Sequence, residues 1–297
     1  MRQEAAYLAV QSICREYNVS ICRMCAIAGI ARASYYKWLN REIPEAELLN
    51  EAIAEAVVSI HKEYPDKGHR RIRDDLLRDY GFDVSDRRVL RICRVLGIKS
   101  TIKYERNSCT VNAKDPQHIS ENILKRNFRA DAPNEKWLTD VTEFKYYEES
   151  EKRKVYLSAI LDLYDRRIVA YVIGDSNSNS LVYDTFKKAV ASYPDAHPLF
   201  HSDRGFQYTN AVFHEMLTEH GMTQSMSRVG KCIDNGPIEG FWGILKRECY
   251  YGKRFESRED IVDMIESYIY YYNNRRYQRQ LGVVTPIEKY EQYLSAA

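Results

Sequence analysis

The stretch LFHSDRGFQYTN, Leu199 to Asn210, decides how the second half of the chain reads. Leu199 and Phe200 can end a buried strand. His201 to Gly205 contain no apolar residue, and Tyr208-Thr209-Asn210 lead into a helical pattern. A strand delivering an acid beside a glycine fits the strand ends of α/β sheets, where ligands and chemistry collect. An aspartate there is equally an ordinary helix cap or turn former. Asp203 therefore marks a site only if other residues join it.

Working outward, WLTDVTEFKYY (137–147), KVYLSAILDLYD (154–165) and RRIVAYVIGD (166–175) are β-rich runs with short turns, as in a meander. SLVYDTFKKAVASY (180–193) reads as a helix and HPLFHSD (197–203) as a strand. AVFHEMLTEHG (211–221) is a helix ended by Gly221, and MTQSMS (222–227) a short strand. NGPIEGFWGILKRECYY (235–251) and REDIVDMIESYIYYYNNRR (258–276) are helices. The order β-β-β-α-β-α-β-α-α predicts a mixed α/β domain over 137–297.

Upstream the pattern is helical. ICRMCAIAGIARASYYKWLNR (21–41) places Gly29 between two short helices, a helix-turn-helix rhythm or a plain helical hairpin. The second would show Ser34, Tyr35, Lys37 and Arg41. Residues 46–63 form an amphipathic helix. In KGHRRIRDDLLRDYGFDVSDRRVLRICRVLGIKS (67–100) one helix stops at Gly81 and Ser85 caps the next. Residues 67–99 hold ten Lys/Arg against five Asp/Glu. Arg87, Arg88, Arg91 and Arg94 recur at helical spacing, a ridge suited to phosphates or simply a solvated basic face. From 99 to 136 the periodicity fades into a polar, basic linker with one short helix at ENILKR (121–126). The expected divisions are 1–64 and 65–98 (all-α, helix-turn-helix-like), 99–136 (linker) and 137–297.

Composition bounds the rest. With 297 residues, burying a core is not limiting, and the net charge of +2 says nothing about partners. No apolar run approaches a membrane span, and the start, MRQEAAYLAVQSICREY, lacks the apolar block of a secretory signal, so a cytoplasmic protein is expected. Seven scattered cysteines suit reduced thiols better than a disulfide framework. Cys22 and Cys25 have zinc-knuckle spacing but no second pair, and read as small hydrophobes of a helix.

Asp140 sits inside the first strand, where aspartate is locally unfavourable. If the first and fourth strands are neighbours, Asp140 and Asp203 approach each other, and two such carboxylates want a proton or a divalent cation. Glu239, separated from Asp203 by 35 residues, is the third candidate. Oxygen-only ligands favour Mg²⁺ or Mn²⁺ over zinc. Along one regular helix Lys246 shares the face of Glu239, while Glu248, nine residues on, turns about 900° to the opposite face as a solvated acid.

WLTDVTEF (137–144), HSDRGFQYTN (201–210) and DNGPIEGFWGILKRE (234–248) resemble the three catalytic blocks of bacterial insertion-sequence transposases with a retroviral-integrase-type Asp-Asp-35-Glu core. GHRRIRDDL (68–76) is similar to the family's upstream helix-turn-helix block, and YYNNRRYQRQLGVVTPIEKY (271–290) to its C-terminal signature. The resemblance spans nearly the whole chain and points to the second-frame product of elements whose two frames fuse by frameshifting. It departs at Gly236-Pro237 and Gly240, where the family more often has a small residue followed by Glu-Ser-Phe-Phe.

The resemblance implies a ribonuclease-H-like core with a mixed five-stranded sheet. It implies a catalytic and metal-binding triad of Asp140, Asp203 and Glu239 with two Mg²⁺ (or Mn²⁺), and Lys246 as the family's basic residue on the last helix. The activity implied is cutting of element ends and joining of their 3′-OH to target DNA. The partners implied are terminal inverted repeats, target duplex and further copies of the chain, with an upstream-frame product either fused to it or working with it, in a bacterial nucleoid. Expected DNA contacts are Lys37, Arg70, Arg71, Arg87, Arg88, Arg91, Arg94, Lys246, Arg275 and Arg276. The rival functions are a nuclease without strand transfer and a non-catalytic DNA-binding regulator.

Overall fold

The structure is a computed structural model describing residues 4–42, 44–102, 117–149, 151–229 and 231–296. It divides into two compact units, residues 1–56 and 57–297.

The first unit contains α1 (Glu4–Tyr17), α2 (Ile21–Ile27), α3 (Arg32–Leu39) and the start of α4 (Glu45–Glu63). Gly29 makes the α2–α3 turn at φ +67°, a conformation that glycine adopts without steric cost. Tyr7, Val10, Cys25, Ile30 and Tyr35 form its core, with Trp38 stacked on Tyr7 at 5.4 Å. Cys25 is a buried hydrophobe, as expected, and Cys22 is exposed. Tyr35 is buried, and Arg41 is held by Glu4 (3.2 Å) and Glu47 (2.9 Å). Of the four residues expected on the second helix's outer face, Ser34 and Lys37 are exposed.

In the second unit, α5 (His69–Arg78) and α6 (Asp86–Val95) precede a five-stranded sheet. The strands are β1 (Lys136–Glu148), β2 (Glu151–Asp162), β3 (Ile168–Gly174), β4 (Leu199–Ser202) and β5 (Thr223–Met226), in spatial order β3-β2-β1-β4-β5. The first three are antiparallel, and β4 and β5 run parallel to β1. The helices are α7 (Asn179–Ser192), α8 (Ala211–Glu219), α9 (Gly236–Leu245), α10 (Arg258–Asn274) and α11 (Pro286–Ala296). This is the expected mixed α/β, ribonuclease-H-like arrangement.

Side chains alternate across each strand, so the sheet feeds two cores. Trp137, Ile160 and Phe200 pack with Phe186 of α7 and Phe213 and Leu217 of α8. Leu138, Phe144, Leu157 and Leu161 pack with Ile238, Phe241 and Trp242 of α9 and Ile265 and Tyr272 of α10.

The unit division falls inside α4, at 56 rather than 64. The basic pair α5–α6 belongs to the second unit and is tied to its C-terminal part. Arg279 bridges Asp74 (2.9 Å) and Asp86 (2.8 Å), Arg71 reaches Glu248 (2.8 Å), and Tyr277 donates to Asp79 (2.6 Å). The expected linker also differs. Residues 103–116 lie outside the described residues, but from 117 the chain is strapped along β5. His118 N–H donates to the Thr209 carbonyl, Met226 N–H to the Glu121 carbonyl, and the amides of Ile123 and Leu124 to Ser225 Oγ. ENILKR forms a turn in place of a helix, with Leu124 buried beneath it. The strap covers an edge strand whose backbone groups would otherwise be open.

Candidate active site

Parallel pairing sets the site. Trp137 is opposite Phe200 and Leu138 opposite His201, so β1 and β4 run level with an offset of 63 (201 against 138). The same offset sets Asp140 level with Asp203, which follows β4 directly. Parity puts both on the Leu138 face, under α9. The carboxylates thus extend from adjacent strands, which lie about 4.8 Å apart where they pair.

Each aspartate is held by its surroundings. Asp140 Oδ1 accepts from the Val141 amide (2.8 Å) and Oδ2 from Trp242 Nε1 (3.0 Å). A hydrogen bond to a charged group contributes about 1.5–3 kcal/mol, and a buried indole N–H needs such a partner. Trp242 therefore fixes α9 to the first aspartate. Asp203 Oδ1 accepts from the Gly205 amide at 2.8 Å. A Cβ on Gly205 would lie 3.0 Å from that oxygen and 2.9 Å from Gln207 Oε1, so the turn admits only glycine without displacement. Asn235 Nδ2 donates to the Thr139 carbonyl (3.1 Å), anchoring the start of α9 one residue from Asp140. Pro237 occupies the first turn of α9, where its missing N–H costs nothing. Glu239 follows one turn in.

The three acids feel one another. Burial and then the Asp203 charge raise Asp140 well above the usual carboxylate range, with Glu239 adding to the effect. Burial raises Asp203, opposed by the Gly205 amide. Burial and the Asp203 charge raise Glu239. Among the described residues no three acidic, histidine or cysteine side chains are drawn together tightly enough to enclose an ion. Asp140 and Asp203 spend oxygens on neighbouring N–H donors, and must turn some of them inward to share a cation. The donor chemistry fits a hard divalent cation: three carboxylates supply oxygen ligands, and burial, joined at Asp140 and Glu239 by the Asp203 charge, disfavours their bare ionised forms.

The other expected residues are dispersed. Lys37, Arg70, Arg87, Arg91, Arg94 and Arg275 are exposed, and Arg88 is half-buried. Arg71 and Arg276 are not open contacts: both pair with Glu248, at 2.8 and 2.9 Å, and Tyr268 donates to the same carboxylate. Glu248 is thus a buried hub and not the solvated acid expected on an unbroken helix. Residues Lys246–Tyr250 form a π turn, which changes the angular advance and swings Glu248 inward. Lys246 is buried, with Nζ 5.2 Å from the Phe144 ring centre. Trp242 and Asn235, neither of them singled out in the sequence as a site residue, both support the site. The sequence signal for Trp242 was an indole that had to find an acceptor.

Residues 130–232 and 239–294 match the integrase core domain family, and residues 48–106 an HTH-like domain. An uncharacterized transposase-like protein of Haemophilus influenzae is 41% identical over 71% of this chain and 95% of its own length. The chain belongs to the insertion-sequence transposases. The putative transposase InsK of element IS150 from Escherichia coli is 37% identical, over 74% of this transposase and 76% of InsK. Transposase InsF of IS3A from the same species is 28% identical over 92% and 94%. Relatives among IS150 and IS3 fit the frameshift-fused class expected from the sequence. Among the transposase's described residues no helix is long and apolar enough to cross a membrane.

Proposed function

We propose that Asp140, Asp203 and Glu239 are the catalytic triad of this transposase and hold divalent cations, Mg²⁺ or Mn²⁺, as a pair. The observation that carries the reading is the parallel register that levels Asp140 with Asp203 beneath the helix bearing Glu239. Bound there, the cations would supply Lewis-acid activation of water or a 3′-OH and neutralise charge at phosphorus. The chain's own contribution is positional. Trp242 and the Val141 amide orient Asp140, the Gly205 amide orients Asp203, and Asn235 fixes the base of the Glu239 helix. Such preorganisation lowers the barrier by removing reorientation at the moment of reaction. The substrates are the element's terminal repeats and a target duplex. Action on two ends calls for several copies of the chain, as a fusion with its upstream-frame product, in the bacterial nucleoid.

The test is incubation with a labelled DNA end and Mg²⁺. The wild type is expected to cut and join, and Asp203→Asn to bind DNA without doing either. Cutting without joining would make it a nuclease, and binding without cutting a regulator. Unchanged joining by Asp203→Asn would overturn the triad.

A further inference from the structure

Asp234 lies one residue before Asn235 and is fully buried. Its carboxylate carries far more than one partner. Arg228 donates to it from Nε (2.8 Å), Nη2 (2.8 Å) and its backbone amide (3.2 Å). Arg126 donates from Nε at 2.6 Å and Asn122 from Nδ2 at 2.9 Å. One acid therefore gathers two guanidinium groups, and the knot bears a net charge of +1. Neither arginine is buried: their side chains are 42% (Arg126) and 53% (Arg228) exposed. Arg126 gives Asp234 only its Nε, so both terminal nitrogens lie outside the ion pair. Arg228 leaves Nη1 outside it.

The backbone is bent to make this arrangement. Lys125 and Arg126 are consecutive residues at φ +46° and +64°, in a turn that Asn122 closes by accepting the Lys125 amide (2.7 Å). Left-handed non-glycine residues cost free energy and persist only where surrounding contacts hold them. A buried acid that merely needed neutralising would be satisfied by the bidentate Arg228, and Arg126 is surplus to that need.

The knot adjoins Asp203 and Asp140 through its neighbours. Ser227, before Arg228, donates its amide to Ser202, before Asp203 (2.9 Å), and accepts from Arg204 Nε (2.9 Å). Asn235, after Asp234, holds the carbonyl of Thr139, before Asp140.

We propose that Arg126 and Arg228, splayed on Asp234, form a binding site for a backbone phosphate of the DNA strand that enters the triad. The proposal rests on the transposase reading, but its test does not require catalysis. Fixed guanidinium forks suit phosphate oxygens.

The experiment measures affinity for a mixed-sequence duplex against salt, without divalent cation, using the full chain. A site that meets one phosphate contributes about 0.9 to the slope of log K on log salt. The double variant is expected to lose about that much, and Arg126→Ala and Arg228→Ala each a part of it. Arg126→Lys should restore most of the slope. Asp234→Asn separates contact from scaffolding. It keeps both cations, so the slope is expected to hold or rise even where melting falls. Equal slopes for wild type and the double arginine variant would overturn the site. So would an Asp234→Asn protein that stays folded and loses as much slope as the arginine variants, since the knot would then be only a structural pin. Should Asp234→Asn fail to fold, the half-exposed Arg126→Ala and Arg126→Lys pair still decides. If the wild type binds with these slopes yet never joins ends, the catalytic reading fails and the phosphate site stands.

Discussion

Gly205 is dictated by the carboxylate two residues before it. Its N–H must approach Asp203, and a methyl group would press on both Asp203 and Gln207. Gly205→Ala is expected to leave the melting temperature near wild type and slow strand transfer on the order of 100-fold, the scale of a 1 Å misplacement. A joining rate within threefold of wild type would show that Asp203 tolerates the shift. His201 makes a different prediction. It is fully buried between Ser225 Oγ (2.9 Å) and Ser227 Oγ (3.2 Å), and burial pushes its pKa down to about 4, against a weaker upward pull from Asp234. Unfolded histidine titrates near 6.5, so the folded state binds fewer protons between those values. Stability is full above about 6.5 and is lost as pH falls through 4, by about 3 kcal/mol in all at ~1.4 kcal/mol per pH unit. Urea midpoints for wild type and His201→Asn should converge on going from pH 7 to pH 4.5. Parallel curves would remove His201 as the cause. Asp140, inside a strand, and Asp203, just past a strand end, were legible in the sequence because acids there break local rules. His201 looked like more of the same polar knot, because its two serine partners sit on and just past a strand whose pairing no local pattern announces.

At the scale of elements, regular periodicity reads well until an element changes its period. The five strands and the helices flanking them follow from alternation and caps, as with Ser178 Oγ capping α7 and the Ser257–Asp260 capping box of α10. The helix after Pro237 does not stay α-helical, and the π turn at Lys246–Tyr250 overturns a register computed at 100° per residue. Glu248 consequently meets Arg71, Arg276 and Tyr268, partners far away in sequence. Burial raises its pKa, yet the two arginines outweigh that and hold it below the ordinary value. Its stabilising contribution is thus present at neutral pH and lost on acidification. Removing one partner of a buried pair typically costs about 3–5 kcal/mol. Glu248→Gln should therefore lower the unfolding free energy by about that much, and Glu239→Gln should abolish joining with melting almost unchanged. Calorimetry beside a strand-transfer assay reads both, and the reverse assignment would mean that the helix register is wrong.

At the scale of the molecule, the α5–α6 pair is part of the catalytic unit through Arg279, Arg71 and Tyr277. Sequence pattern marked it as a separate module because its own helices are complete, and because ion pairs across some 200 positions leave no periodic trace. Its basic ridge keeps Arg87, Arg91 and Arg94 exposed. Replacing these three by Ala is expected to flatten the salt dependence of DNA affinity by up to about 2.7 in slope, at ~0.9 per phosphate contact. Superimposable wild-type and variant salt series would leave the ridge as solvated surface. The offset of 63 between β1 and β4 carries a consequence for synthesis. Asp140 leaves the ribosome long before its level partner, and the helix bearing Glu239 emerges later still, with its clamp Trp242 behind it. Contacts so distant along the chain form late in folding. A nascent or truncated polypeptide ending before residue 242 therefore carries the helices before β1 without the Trp242 contact to Asp140, and under the proposed triad the cutting centre is assembled only after that residue has emerged.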